Sequence, residues 1–173
     1  MAGAVASAET ASRPIVAFLG PTLSVGEARR LLDAVYLPPA AQGSIVLAVK
    51  EFQPKTILLI DGIFQSEPAV RHKEILWALS RGIHVVGAAS MGALRAAELY
   101  RYGMIGIGLI YRWYRRFHFA PDDAVAVLHG PASVGWAALT CARIDLRRTL
   151  RAAERRALIA SPLRQRLDAA TAS

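Results

Sequence analysis

The sequence predicts an α/β protein: one three-layer domain with a mostly parallel sheet, helices on both faces and a helical C-terminal segment. Short apolar runs alternate with segments of helical period, which is the pattern of a parallel sheet covered by helices. A chain of 173 residues is long enough for one such core. We expect a disordered lead-in without signal-peptide character over 1–13, the α/β domain over 14–160, and a short helical or disordered tail over 161–173.

Four apolar runs predict the strands, because each is short, rich in branched residues and has Gly within its last two positions. These runs span residues 14–20, 56–62, 83–88 and 124–130. Each predicted strand therefore ends next to residues that suit a sharp turn.

The helices are predicted by apolar residues spaced three and four apart. Ser24 and Glu27 form a capping-box pattern that starts the first helix, which we extend to Ala34. The stretch YLPPAAQG, residues 36–43, predicts a turn. The other predicted helices span 44–52, 68–80, 91–102, 106–117 and the chain after residue 130.

Charge and composition restrict the class of partner. The net charge of +8 suggests nucleic acid, and Arg147, Arg148, Arg151 and Arg155 share one face of a predicted helix. No zinc-finger spacing, RNP-like motif or interleaving of aromatic with basic residues accompanies them, so nucleic acid is disfavoured. We expect this face to be solvated or to contact an acidic protein surface.

The apolar runs are too short to cross a bilayer, so we expect no membrane association. The single cysteine, Cys141, excludes an internal disulfide and suits a reducing cytoplasm. Because no His or basic residue near it in sequence signals activation of the thiol, we expect Cys141 to have a packing role.

Polar residues follow each predicted strand, at the edge of a parallel sheet where ligands bind. They occur in four clusters: Gly20-Pro21-Thr22, Asp61-Gly62, Ala89-Ser90-Met91-Gly92 and His129-Gly130-Pro131. We therefore expect Thr22, Asp61, Ser90 and His129 to converge on one site.

Ser90 lies between a predicted strand and a predicted helix, among small residues that a nucleophile elbow requires. Either Ser90 is reactive there or binds an anion, with the amides of Met91 and Gly92 facing the charge, or it only caps the helix. His129 is the candidate base, and Asp61 would orient it or act alone.

Lys73 and Arg95 follow the site loops and could hold an anion, or they could be solvated. Neither a P-loop Lys nor a dinucleotide GxGxxG is present, and no spacing suits a metal, so we predict no cofactor and no metal.

Several motifs together resemble the core of the TfuA family over residues 15–150. They are FLGPTLS, YLPPA, IDGIFQSEPAVRHKEILWALSRGIHVVGAASMGALRAAEL, YGMIGIGLIY and DDAVAVLHGPA. Ala124 departs from this pattern, because the family usually has an acid there.

The resemblance implies an accessory protein of YcaO enzymes, which modify the backbone of ribosomally made peptides, here by forming thioamides. Its partners would be a YcaO-type enzyme and a small sulfur-carrier protein, and homo-oligomerisation stays open. In one hypothesis the protein cleaves a thiocarboxylated carrier and releases sulfide. In the other it is a non-catalytic activator that docks on YcaO.

Overall fold

The computed structural model describes residues 13–63, 67–117 and 121–171, so nearly all of the predicted lead-in lies outside the described residues. Its centre is a five-stranded sheet of order β2-β1-β3-β4-β5, in which every pairing is parallel. The strands are β1 (Ile15–Phe18), β2 (Val35–Leu37), β3 (Thr56–Leu59), β4 (His84–Gly87) and β5 (Ile105–Gly106). The predicted α/β fold is confirmed, and its strand order reverses between β1 and β3.

Seven α-helices surround the sheet within the described ranges. They are α1 (Val25–Arg29), α2 (Ser44–Phe52), α3 (His72–Ser80), α4 (Met91–Leu99), α5 (Gly108–Arg116), α6 (Arg143–Arg155) and α7 (Ser161–Ala170). Helices α2, α3 and α4 pack side by side, and α3 and α4 also contact β4. The strand side chains of Val16, Ile57 and Val85 are fully buried between the layers. No helix in the described residues is both long and apolar enough to span a bilayer.

The beginning of the chain contains a strand that the sequence analysis missed. The predicted cap is confirmed, since the Ser24 hydroxyl accepts a hydrogen bond from the Glu27 amide, but α1 ends at Arg29 and not at Ala34. The predicted turn over 36–43 is also wrong at its start, because Val35–Leu37 pairs with β1. The extended conformation of this segment results from its pairing with the edge of β1, and a local sequence pattern does not predict such a pairing.

The predicted strand over 124–130 is wrong. Asp122–Val125 forms a 3-10 helix, and the chain then runs irregularly with one antiparallel bridge between His129 and Ala138. The strand Ile105–Gly106 pairs with β4 in its place, although a helix was expected to begin at Gly106. The prediction of helix throughout the chain after residue 130 is likewise wrong, since the next α-helix begins at Arg143.

Two predicted helix ends also shift. The helix expected from residue 68 begins at His72, because the Pro68 carbonyl accepts from the Gln42 amide and Ala69 bridges to Ala41. The helix expected over 91–102 is α-helical to Leu99 and continues as one 3-10 turn.

Glu74 is a buried carboxylate that serves two helices. It accepts hydrogen bonds from the amide of Arg71, at 2.7 Å, and from those of Gly43 and Ile45, each at 3.2 Å. The first amides of a helix lack internal acceptors and carry partial positive charge. One carboxylate therefore stabilises the starts of both α2 and α3 and holds them together.

The start of α4 lies so close to the end of β3 that a Cβ on Gly92 would overlap the carbonyl of Leu59. We expect Gly92→Ala to lower the free energy of unfolding by about 2 kcal/mol or more, because neither backbone can move without disturbing the sheet. Helix propensity alone would change stability by about 1 kcal/mol in the opposite direction. Urea titration measures the difference.

Gly26→Ala is the matched control, since Gly26 is helical and a Cβ there meets nothing within 4 Å. This variant should be as stable as the parent or slightly more so. If Gly92→Ala behaves in the same way, the close approach of α4 to β3 is wrong.

Candidate functional site

A cavity of about 400 Å³ lies beside the loops that follow β1 and β4. Its polar lining residues are Thr22, Ser90, Thr140, Cys141 and Asp145, and its apolar walls include Ile110, Val125 and Val127. The loops come from the carboxyl ends of parallel strands, where ligands of such folds bind. The position therefore agrees with the one expected for a site.

Asp61 fixes one wall of this cavity without lining it. Its carboxylate is only 2% exposed and accepts hydrogen bonds from the amides of Gly20 and Thr22, at 2.8 and 3.1 Å. The Thr22 hydroxyl donates a third bond at 2.6 Å. Asp61 thus holds the loop after β1 in place, and its oxygens face this loop and contact neither Ser90 nor His129.

Ser90 lies on the cavity wall in a sharp turn. The preceding Ala89 adopts a left-handed conformation with φ 56°, which costs a residue with a Cβ about 1–2 kcal/mol. The Ser90 hydroxyl makes no capping bond to α4 and donates instead to the carbonyl of Val125 at 3.2 Å. Of the two roles left open by the sequence, simple capping through the side chain is therefore excluded.

The first amides of α4 differ in what they face. The Gly92 amide donates to the carbonyl of Ile60 at 3.3 Å, so it is directed to the end of β3. The Met91 side chain is buried, and Gly62 is packed against it. Of the two predicted anion donors, the Gly92 amide is thus committed to β3, and neither Met91 nor Gly92 lines the cavity.

His129 lies apart from the cavity wall. Its Nδ1 is 3.2 Å from the Gly130 carbonyl oxygen, and its ring packs edge-on against Trp136 with 5.3 Å between the centroids. The structure thus joins Thr22 to Asp61 and brings Thr22 and Ser90 to one cavity, whereas His129 is in neither group.

The two predicted anion-binding cations are also outside the cavity lining. Arg95 donates to the Val70 carbonyl at 3.0 Å and to Glu98 at 2.7 Å, while Lys73 is exposed on α3. Glu98 is held in addition by His72 at 2.7 Å. Arg95 and Glu98 therefore form a local ion-pair cluster between α3 and α4.

Three polar cavity residues were not predicted from the sequence: Thr140, Cys141 and Asp145. Cys141 is exposed and lines the cavity, so the predicted packing role is wrong. Asp145, in the first turn of α6, contributes a carboxylate to the same wall. They lie at the end of an irregular segment or directly after it. No local sequence pattern predicts that this segment comes back to the edge of the sheet. Within the described ranges, no three His, Cys, Asp or Glu side chains are grouped so as to hold a metal ion.

Comparison with known proteins identifies the family of the chain. A family model described as TfuA-like protein matches residues 61–173 of the chain. The match contains Asp61, Ser90, His129 and Cys141, and the loop with Thr22 precedes it. A search of curated proteins found no match.

We expect Asp61→Asn to lower the free energy of unfolding by about 2–4 kcal/mol, because an amide has one acceptor oxygen where the loop presents three donors. Asp33→Asn is the matched control, since Asp33 is exposed and should tolerate the same change. Urea titration of both variants tests this. Equal stability of the two would contradict the supporting role of Asp61.

Proposed function

Because this chain belongs to the TfuA-like family, we propose that it is an accessory protein of YcaO-dependent thioamide formation in ribosomally made peptides. In this proposal it supplies the sulfur by hydrolysing a thiocarboxylated carrier protein. The observation that carries the proposal is the Ser90 hydroxyl, which lies on a cavity wall at the start of α4 and does not cap the helix. The strained turn at Ala89 supports it, since such strain is concentrated at functional sites.

The cavity suits the narrow end of a carrier tail. Its volume of about 400 Å³ falls within the usual range for small-molecule sites. A thiocarboxylate is an anion at neutral pH, and the N-terminus of α4 carries partial positive charge. The small side chain of Ala89 leaves room for the tail beside Ser90.

In the proposed reaction, the Ser90 oxygen attacks the carbonyl carbon of the thiocarboxylate. The carbon–sulfur bond breaks, sulfur leaves as hydrosulfide, and the tail is held as an ester on Ser90. Water then hydrolyses the ester to the carrier carboxylate and free Ser90. The amide of Met91 would donate to the oxyanion, since that of Gly92 already donates to Ile60.

The attack needs a group that accepts the proton of Ser90, and two side chains are candidates. Asp145 lines the cavity, and we assign the role to it. His129, the candidate from sequence, would have to turn away from Gly130 and Trp136. Asp61 acts as a positioning residue, because its carboxylate already accepts three hydrogen bonds from the loop after β1.

We expect Ser90→Ala to abolish sulfide release from a thiocarboxylated carrier, because loss of the nucleophile should cost at least the ~10²–10³ in rate that follows loss of one oxyanion donor. Stability should fall by only about 1 kcal/mol, since one hydrogen bond to Val125 is lost. The assay uses the purified protein alone and measures sulfide. A folded variant that keeps the parent rate shows that Ser90 is structural.

We expect Asp145→Asn to lower the rate of sulfide release by about 10²-fold or more, which is the usual contribution of a general base. His129→Asn and Cys141→Ser should retain most of the parent rate, the second because the cavity thiol is not the nucleophile. If His129→Asn is the inactive variant, the proton acceptor is His129. If Cys141→Ser is inactive and Ser90→Ala is not, the nucleophile is the thiol.

The alternative function is that of a non-catalytic activator that docks on a YcaO enzyme. The position of His129 away from the cavity favours it, because the residues that the structure describes assemble no complete Ser-His-Asp triad at Ser90. An activator would release no sulfide by itself but would raise the rate of the YcaO enzyme when sulfide is supplied directly. In that case Ser90→Ala would leave the stimulation unchanged.

A further inference from the structure

A second cavity, of about 520 Å³, lies between α5 and α6. Six arginines surround it: Arg112, Arg116, Arg143, Arg147, Arg148 and Arg151. Its apolar surface comes from Leu109, Trp113, Phe117, Ala124 and Ile144. We call these residues together the arginine groove.

Most of the positive charge in the arginine groove is uncompensated. Arg143 pairs with Asp123 at 2.7 Å, and Arg147 pairs with Asp168 at 3.0 Å. Among the side chains that the structure describes, the other four arginines of the groove form no salt bridge, and Glu154 exerts a longer-range attraction on Arg151. Four like charges around one concave surface create a field that attracts an anionic ligand.

The apolar part of the groove is equally unusual for a solvated surface. Ile144 and Ala124 form a buried base, whereas Leu109 is 44% exposed and Phe117 is 51% exposed at the rim. Ile107, outside the groove but close by in sequence, is 56% exposed. Exposed apolar residues grouped with charged ones mark interaction surfaces.

The groove continues past α6. A neighbouring cavity of about 540 Å³ shares Leu109, Arg148 and Arg151 with it and adds Arg155 together with one acidic residue, Asp145. The combined surface is longer than a compact organic anion requires, so it favours an extended ligand.

We propose that the arginine groove binds an acidic peptide segment of a partner protein, with a bulky apolar side chain on the base and carboxylates on the arginines. Arginine donates two parallel hydrogen bonds to a carboxylate, which gives such pairs their specificity. The proposal does not rest on the chemistry of Ser90.

Two other occupants fit the groove less well. A second copy of this chain would bring another net charge of +8 to it. Single-stranded nucleic acid binds largely by stacking on open aromatic faces. In the groove the Trp113 ring packs 4.8 Å from that of Tyr114, and the Arg116 guanidinium already lies 5.7 Å from the centre of the Phe117 ring. The apolar base also has nothing to complement on a phosphate backbone.

Fluorescence anisotropy with synthetic probes tests the proposal. The main probe is a fluorescein-labelled peptide, Glu-Asp-Glu-Phe-Leu-Glu-Asp-Glu, and a second probe has Ser-Ser in place of Phe-Leu. A labelled dT oligonucleotide of similar charge is the third. The variants are Arg112→Glu with Arg148→Glu, which reverses one charge on each wall, and Leu109→Ser on the apolar surface.

A double variant provides the control for net charge. Arg156→Glu with Arg166→Glu changes the charge by the same amount at exposed positions outside the groove. We expect the main probe to bind the parent and this control equally, and to bind both groove variants at least about tenfold more weakly. The Ser-Ser probe should also bind the parent about tenfold more weakly.

Four results would overturn the proposal: no binding of the main probe, equal weakening in the control variant, equal binding of the two peptides, or tighter binding of the oligonucleotide. The last result, with a steep salt dependence, would assign the groove to nucleic acid. None of these results bears on sulfide release, so the proposal and the proposed function fail separately.

Discussion

The candidate site depends on one interaction, the three hydrogen bonds that the buried Asp61 carboxylate accepts from the loop after β1. A buried carboxylate without partners would be strongly destabilising, so its position requires these donors. In return, the bonds fix Thr22 at the point where the strand order reverses between β1 and β3. Glu74 acts in the same way at α2 and α3, so buried anions with several donors organise two parts of this fold.

The two sides of the cavity are built differently. Thr22 and Ser90 follow strands and are held by the sheet, by Asp61 and by the close contact of Gly92 with β3. Cys141 and Asp145 come after a long irregular stretch, which is joined to the sheet side by the bond from Ser90 to Val125 and by the burial of Val125 and Ala142 in the core. In the proposed reaction the nucleophile and the oxyanion donor thus lie on the side that the sheet and Asp61 hold in place. This suits the preorganisation that catalysis requires.

The sequence predicted the parallel α/β fold because the apolar runs that form β1, β3 and β4 are strong local signals. It failed at β2, at β5 and over 124–130, where pairing or burial is decided by residues distant in sequence. For the site, the elbow-like residues around Ser90 and the clustering of Thr22 with Asp61 were predictable, since each follows a strand. The positions of Asp145 and Cys141 in the cavity could not be predicted, because they depend on the path of the irregular segment that precedes them. The arginines of α6 were visible in the sequence, but α5 as the opposite wall was not.

The 3-10 helix Asp122–Val125 separates the arginine groove from the cavity that contains Ser90. Ala124 faces the arginine groove, while the carbonyl of the next residue, Val125, accepts a hydrogen bond from the Ser90 hydroxyl and its side of the chain lines the Ser90 cavity. A ligand in the groove that displaces this 3-10 helix would also change the hydrogen bond that orients Ser90 in the cavity. By thermodynamic linkage, any such effect would act with equal free energy in both directions. This single 3-10 turn would then couple the binding of a partner in the arginine groove to the reaction at Ser90.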